Sequence, residues 1–163
     1  MNGIVYTSNT GYTAAYAALL GEKTGLPVYD LQTAKKALPK GAEIIYLGWL
    51  CAGNVKGYKA AAKRWQIAAV GGVCLGTTGS QTDTARKAAG IPADVPLFTM
   101  QGGMDYARLR GINRFMIKML VKMLESKQRT PEEEAMLELI KKGGDYVGEE
   151  HLTDLLAWYN TQT

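Results

Sequence analysis

The densest cluster of small hydrogen-bonding side chains is Thr7-Ser8-Asn9-Thr10-Gly11-Tyr12-Thr13, set between an apolar segment at residues 3–6 and an alanine-rich stretch that begins at Ala14. A strand that turns into a helix through hydroxyl residues and one glycine aims several backbone N–H groups at one spot. The positive end of the helix dipole favours an anion there. Ser8, Thr10 and Thr13 can each donate a hydrogen bond to a phosphate oxygen, and Gly11 leaves room for close approach. An ordinary capped turn also prefers Ser and Thr, but this run holds more hydroxyls than one cap needs. A Walker loop would need a Gly-Lys-Ser/Thr ending, and a dinucleotide fold would need Gly-x-Gly-x-x-Gly. Neither occurs here.

The elements that must position this loop follow from the apolar pattern. Runs rich in Val, Ile, Tyr and Leu at residues 3–7, 26–30, 43–48, 67–74 and 95–101 predict five strands, with helices over 13–24, 55–65 and 82–89 between them. Gly25 and Gly90 stop the first and third of these helices. Continuous apolar strands separated by helices predict an α/β protein whose parallel sheet is covered on both faces. The 163 residues are expected to form a single domain over 1–163, with a helical extension from about 126 to 163. With no signal-type segment and no apolar run of spanning length, a soluble cytoplasmic protein is expected. The net charge of +4 is modest, and no nucleic-acid partner is expected.

The pattern Ser8-x-Thr10-Gly11-x-Thr13 after the first strand resembles the FMN-phosphate loop of flavodoxins, in which uncharged donors hold a phosphate monoester. The resemblance implies a flavodoxin-like three-layer sandwich with a five-stranded parallel sheet of order 2-1-3-4-5, helices on both faces and extra C-terminal helices. In that order the ligand sits at the carboxyl ends of strands one, three and four. The implied FMN contacts are Ser8, Asn9, Thr10, Gly11, Tyr12 and Thr13 for the phosphate, with Trp49, Leu50, Cys51, Ala52 and Gly53 after strand three, and Leu75, Gly76 and Thr77 after strand four. In flavodoxins the last two loops sandwich the isoalloxazine ring, commonly with an aromatic side chain on its face. Trp49 directly follows the strand glycine, whereas the family's stacking tryptophan lies nearer Ala52 and Gly53, so stacking and core packing are both open to it. A phosphoacceptor receiver domain shares this strand order but needs carboxylates at the ends of strands one and three. None lies in residues 6–13 or 46–53.

A second resemblance covers residues 102–118. Gly102, Tyr106, Arg108, Arg110 and the string Arg114-Phe115-Met116-Ile117-Lys118 look like the corresponding segment of menaquinone-dependent protoporphyrinogen dehydrogenases, FMN enzymes of haem synthesis. Together the two resemblances span most of residues 1–125. The chain departs from the family in its short Gly-Thr-Thr-Gly-Ser passage after strand four, in Asp105 for a basic residue and in Gly111 for an aromatic one. What the resemblance implies is an FMN-binding electron-transfer protein in which no side chain is catalytic and no metal is needed. One alternative is a protoporphyrinogen-dehydrogenase-like flavoenzyme passing electrons to a quinone; another is a flavin-free interaction module. The implied partner is a redox protein or a quinone.

The stretch 109–125 reads as a helix in its own right. Ile112, Phe115, Met116, Met119, Leu120, Met123 and Leu124 follow helical spacing, and Arg110, Arg114, Lys118 and Lys122 recur every fourth residue beside them. The plain expectation is a core helix packed on the sheet with its cations in water. The sharper one is a peripheral contact with an anionic membrane at the inner face, or with an acidic partner. Thr130-Pro131-Glu132-Glu133 starts a further helix that Gly143-Gly144 stops, and residues 151–161 form the last; this pair covers a sheet face or mediates self-association into a homo-oligomer. His151, the only histidine, reads as a surface or capping residue. Cys51 and Cys74 lie at the ends of strands expected to be neighbours, where they could approach each other as a redox pair, although small buried thiols commonly serve as inert hydrophobes.

Overall fold

The apolar runs pair into one sheet in the computed structural model, which describes residues 1–162. Its strands are β1 (Gly3–Thr7), β2 (Val28–Asp30), β3 (Glu43–Cys51), β4 (Asn54–Val55), β5 (Gln66–Cys74) and β6 (Leu97–Gln101). Five run parallel in the order β2-β1-β3-β5-β6, and the two-residue β4 folds back antiparallel on the end of β3. Without β4 this is the expected order 2-1-3-4-5. Seven helices accompany the sheet among the described residues: α1 (Tyr12–Thr24), α2 (Leu31–Ala37), α3 (Tyr58–Ala62), α4 (Thr82–Ala89), α5 (Gly111–Glu125), α6 (Pro131–Lys142) and α7 (Thr153–Thr161).

Alternation along the strands builds two cores. Ile4, Ile45, Leu47 and Met100 pack against Tyr16, Ala17 and Leu20 of α1 and Leu155 of α7. On the other face Val5, Ile44, Tyr46 and Val70 meet Ala34 of α2, Tyr58 and Ala61 of α3 and Ala85 and Ala89 of α4. All of these residues are buried, which makes the two cores the main stabilising feature of the fold.

Several elements differ from the sequence reading. The short α2 was not foreseen; Asp30 caps it by accepting from the Gln32 and Thr33 N–H groups at 2.9 and 3.0 Å. The helix expected over 55–65 shrinks to Tyr58–Ala62, because Asn54 and Val55 pair with β3 and Gly57 adopts φ 80. The two C-terminal helices do not act as a pair. The α7 helix covers the sheet, whereas α6, opened by the expected capping box at Thr130, packs on α5. Nor is α5 a sheet-packed core helix. Its Ile117, Leu120 and Val121 join Leu109, Leu139 and Ile140 in a third, separate cluster. Two-residue strands β7 (Gly103–Met104) and β8 (Gly144–Asp145) pair antiparallel at the base of this excursion, so residues 103–145 form a helical hairpin inserted between β6 and α7.

Buried hydroxyls lock these parts together. The Tyr46 hydroxyl bonds the Thr7 Oγ1 and the Lys56 carbonyl, both at 2.7 Å, joining the end of β1 to the turn before α3. The Tyr16 hydroxyl donates to the Gln101 carbonyl, joining α1 to the end of β6. Burial pushes both phenols up to about 12 and the Cys74 thiol up to about 11. A raised folded-state pKa contributes stability that is fully present below the unfolded value and is lost as pH rises through the folded one. Melting temperature is therefore expected to be flat with respect to these groups up to about pH 9 and to fall progressively from there to about pH 12. Calorimetry across that range, with Tyr46→Phe flattening part of the fall, checks this.

Candidate functional site

At the carboxyl ends of β1, β3 and β5, where strand order reverses, lies a cleft of about 350 Å³. That volume suits a small-molecule site. Its polar end is the loop between β1 and α1, where Ser8, Asn9, Thr10, Tyr12 and Thr13 line the wall. Gly11 sits at the N-cap of α1 with φ 102, a left-handed conformation that glycine adopts without strain, and α1 has no side-chain cap. The first-turn N–H groups of α1 therefore have no capping side chain to satisfy them. Ser8 Oγ accepts from the Gly11 N–H at 3.2 Å, which leaves the Ser8 proton free to donate outward. Thr13 is almost wholly buried and still borders the cleft. Gly11 itself faces a second, shallower groove that it shares with Asp30 and Gln32.

The loop has a cationic neighbour that the sequence reading missed. Arg108, at the end of a 3₁₀ turn (Tyr106–Arg108), donates from Nη1 to the Thr10 carbonyl at 3.2 Å and from Nε to Asp105 Oδ2 at 3.0 Å. Asp105 in turn accepts from the Ala107 N–H at 3.1 Å, which orients the turn. The guanidinium lies across the loop from a residue 98 positions away, a separation that no local motif can signal. Alanine at Arg108 is expected to weaken binding of a phosphate-bearing ligand by several-fold and to reduce its salt dependence, as for an exposed charge in water. Titration at low and high salt measures both effects.

The second wall comes from β3, which is longer than its apolar run predicts. Trp49, Leu50 and Cys51 belong to the strand and line the cleft, and Ala52-Gly53 forms the two-residue turn into β4. Both turn residues have positive φ, 49 and 78, as tight hairpins require. Ala52 is the one non-glycine residue among those described in that region, a strain of about 1 kcal/mol placed at the cleft wall. Trp49 is half-buried, borders the cleft and carries Lys56 Nζ at 5.7 Å from its ring centroid. It is outside the two sheet cores.

The third wall is thinner than expected. Leu75 lines the cleft; Gly76 and Thr77 turn away, the Thr77 carbonyl accepting from Ser80 Oγ at 2.6 Å, and Gln81 lines the cleft instead. Thr78 holds this loop by accepting from the Gln101 N–H at 3.0 Å and bonding His151 Nδ1 at 2.7 Å. His151 is thus a partly buried tether for the loop, more than a surface residue. Both cysteines are free. Cys51 Sγ lies 3.9 Å from Met116 Sδ, while the Cys74 thiol is buried and donates to the Gly76 carbonyl at 3.4 Å.

The fourth wall is the inserted hairpin. Leu109, Met116, Ile117 and Leu120 of the α5 region, Met136 of α6 and Met104 of β7 roof the cleft with apolar side chains. The sequence marked these positions as an amphipathic face or as part of a resemblance, and nothing local said which cavity that face would close.

No protein-family model matches this chain, and neither curated proteins nor solved structures match it. Among the described residues no cluster of His, Cys, Asp and Glu could hold a metal ion, and no helix is long and apolar enough to cross a membrane.

Proposed function

We propose that this chain is an FMN-binding, flavodoxin-like electron carrier. The observation that carries the reading is the polarity of one continuous cleft: hydroxyls and uncapped helix N–H groups at one end, apolar strand ends and a methionine-rich roof at the other. A phosphorylated flavin has that same division. Ser8, Thr10, Thr13 and the first turn of α1 would hold the phosphate, with Arg108 beside them; Trp49, Leu50 and Leu75 would border the ring. The flavin supplies the one- and two-electron chemistry, while the protein supplies binding, orientation and exclusion of water. The Cys74 thiol, held protonated by its burial, offers no thiolate base at neutral pH.

The roof favours a second reading, a flavoenzyme of the protoporphyrinogen-dehydrogenase type that hands electrons to a quinone. Met104, Met116 and Met136 are flexible and polarisable, so the roof can repack around a second flat apolar molecule.

Titration of the purified protein with FMN, with riboflavin as the control lacking phosphate, tests the shared part of both readings. Tight binding that depends on the phosphate supports them; absent or phosphate-independent binding overturns them and leaves a flavin-free interaction module. Flavin-dependent oxidation of protoporphyrinogen with a quinone separates the enzyme from the carrier.

A further inference from the structure

The outer side of α5 is an unsatisfied surface. Ile112, Phe115, Met119 and Met123 are 72, 61, 51 and 52% exposed, the four largest exposures among large apolar side chains of the helix. Their spacing of three, four and four residues sets them in a single stripe along the helix. This is the opposite of a core face. The residues that do turn inward lie about a third of a turn away: Asn113, Ile117 and Leu120 close the cleft or the third cluster, and Leu124 is buried.

Beside the apolar stripe runs a cationic one. Arg114, Lys118 and Lys122 are exposed and recur every fourth residue on the flank away from the inward face. Among the described residues Lys118 and Lys122 form no ion pair, and Arg114 rests on the Tyr106 ring at 4.7 Å. The helix carries one carboxylate, Glu125, and it is paired with Lys141 at 2.6 Å. An apolar stripe with an unneutralised cationic row along one edge matches the bilayer interface, with acyl chains below and anionic headgroups beside them.

We propose that α5 docks the protein in the plane of an anionic lipid surface. Charge decides between lipid and a second copy of this chain. An antiparallel pair through the stripe sets one cationic row against the other, and neither copy offers a free carboxylate on this helix to offset it. An anionic headgroup layer offsets the row directly. Insertion is shallow, because α5 lies flat and is neither long nor apolar enough to cross. Docking there also brings the roof of the cleft to the lipid, since the inner side of the same helix lines it. The docking argument stands whether or not the cleft holds a flavin.

The test is co-sedimentation of the full chain with vesicles of phosphatidylcholine alone and of phosphatidylcholine containing about one-third phosphatidylglycerol, with light scattering to report oligomeric state. The expected result is binding to the mixed vesicles that is at least about tenfold tighter than to the neutral ones and that weakens with salt. Lys118→Glu with Lys122→Glu should abolish the preference for anionic lipid, and Phe115→Ser with Met119→Ser should cut binding by about tenfold or more. These four side chains are exposed, so circular dichroism should show unchanged folding in both variants. Equal binding to both vesicle types, no binding, or a stable dimer that the serine variant dissociates would each overturn the proposal.

Discussion

Replacing both Thr10 and Thr13 by alanine is expected to weaken FMN binding by about a hundredfold or more while leaving riboflavin binding nearly unchanged. The size follows from the charge on the acceptor. A hydrogen bond to an ionised group contributes about 1.5–3 kcal/mol, so two lost donors amount to about 3–6 kcal/mol, and each 1.4 kcal/mol is tenfold in affinity. Thr13 carries more of the effect than Thr10. It is 1% exposed, so its hydroxyl is largely removed from water and pre-positioned at the edge of the cleft, whereas Thr10 is held chiefly through its carbonyl contact with Arg108. The buried position raises a concern about stability, but α1 gains helix propensity from Thr→Ala, which offsets part of the lost packing. Calorimetric titration of both ligands reads the difference directly. If FMN and riboflavin weaken together, the loop shapes the cleft without holding a phosphate; if neither changes, the loop assignment fails.

How much of this site was legible beforehand depends on the range of the interactions that make it. The loop from Ser8 to Thr13 is local: a strand, a turn and a helix start in sequence order, so the residue types predict the geometry, and the cleft contains five of its six residues. The strands were legible for a similar reason, since each apolar run and each glycine stop is a short-range signal, whereas their order was implied by the flavodoxin resemblance. What escaped is long-range. The Arg108 contact with Thr10 spans 98 residues, and the roof needs α5 to leave the sheet and pack on α6. Periodicity alone placed Ile112, Phe115, Met119 and Met123 on one apolar face with Met116, Leu120 and Leu124. A helix pattern says that such residues share a side of the cylinder, not which part of that side meets protein. In the fold the face is divided, the second group turned inward and the first left in water. The length of β3 was misjudged for another reason: Trp49, Leu50 and Cys51 continue the apolar run past Gly48, and the pairing of Trp49 with Val73 of β5, Leu50 with Val55 and Cys51 with Asn54 is what makes them strand.

The end of β1, from which the Ser8–Thr13 loop departs, rests against one crowded point, and Gly57→Ala should show how much that crowding matters. Gly57 has φ 80, and a Cβ built there would lie 2.0 Å from the Tyr46 hydroxyl and 2.6 Å from Thr7 Oγ1. Two costs therefore combine: about 1–2 kcal/mol for an L residue in the left-handed region, and the rupture of the Tyr46 hydrogen bonds to Thr7 and Lys56, about 1 kcal/mol each. The expected destabilisation is about 3–4 kcal/mol, large against a total of roughly 5–15 kcal/mol for a domain. Gly25 supplies the control. It has φ 71 with nothing within 4 Å of its added Cβ, so Gly25→Ala should cost only the backbone share of about 1–2 kcal/mol. Denaturant midpoints of the two variants separate conformation from crowding. A further variant identifies the crowding partner: in a Tyr46→Phe background the hydroxyl is gone, so Gly57→Ala should cost about 1–2 kcal/mol less than it does in the native chain. Strict additivity would show that the strain lies elsewhere. Non-additivity would tie the backbone at Gly57 to Thr7, the residue from which the Ser8–Thr13 loop departs, and so to the shape of the polar end of the cleft.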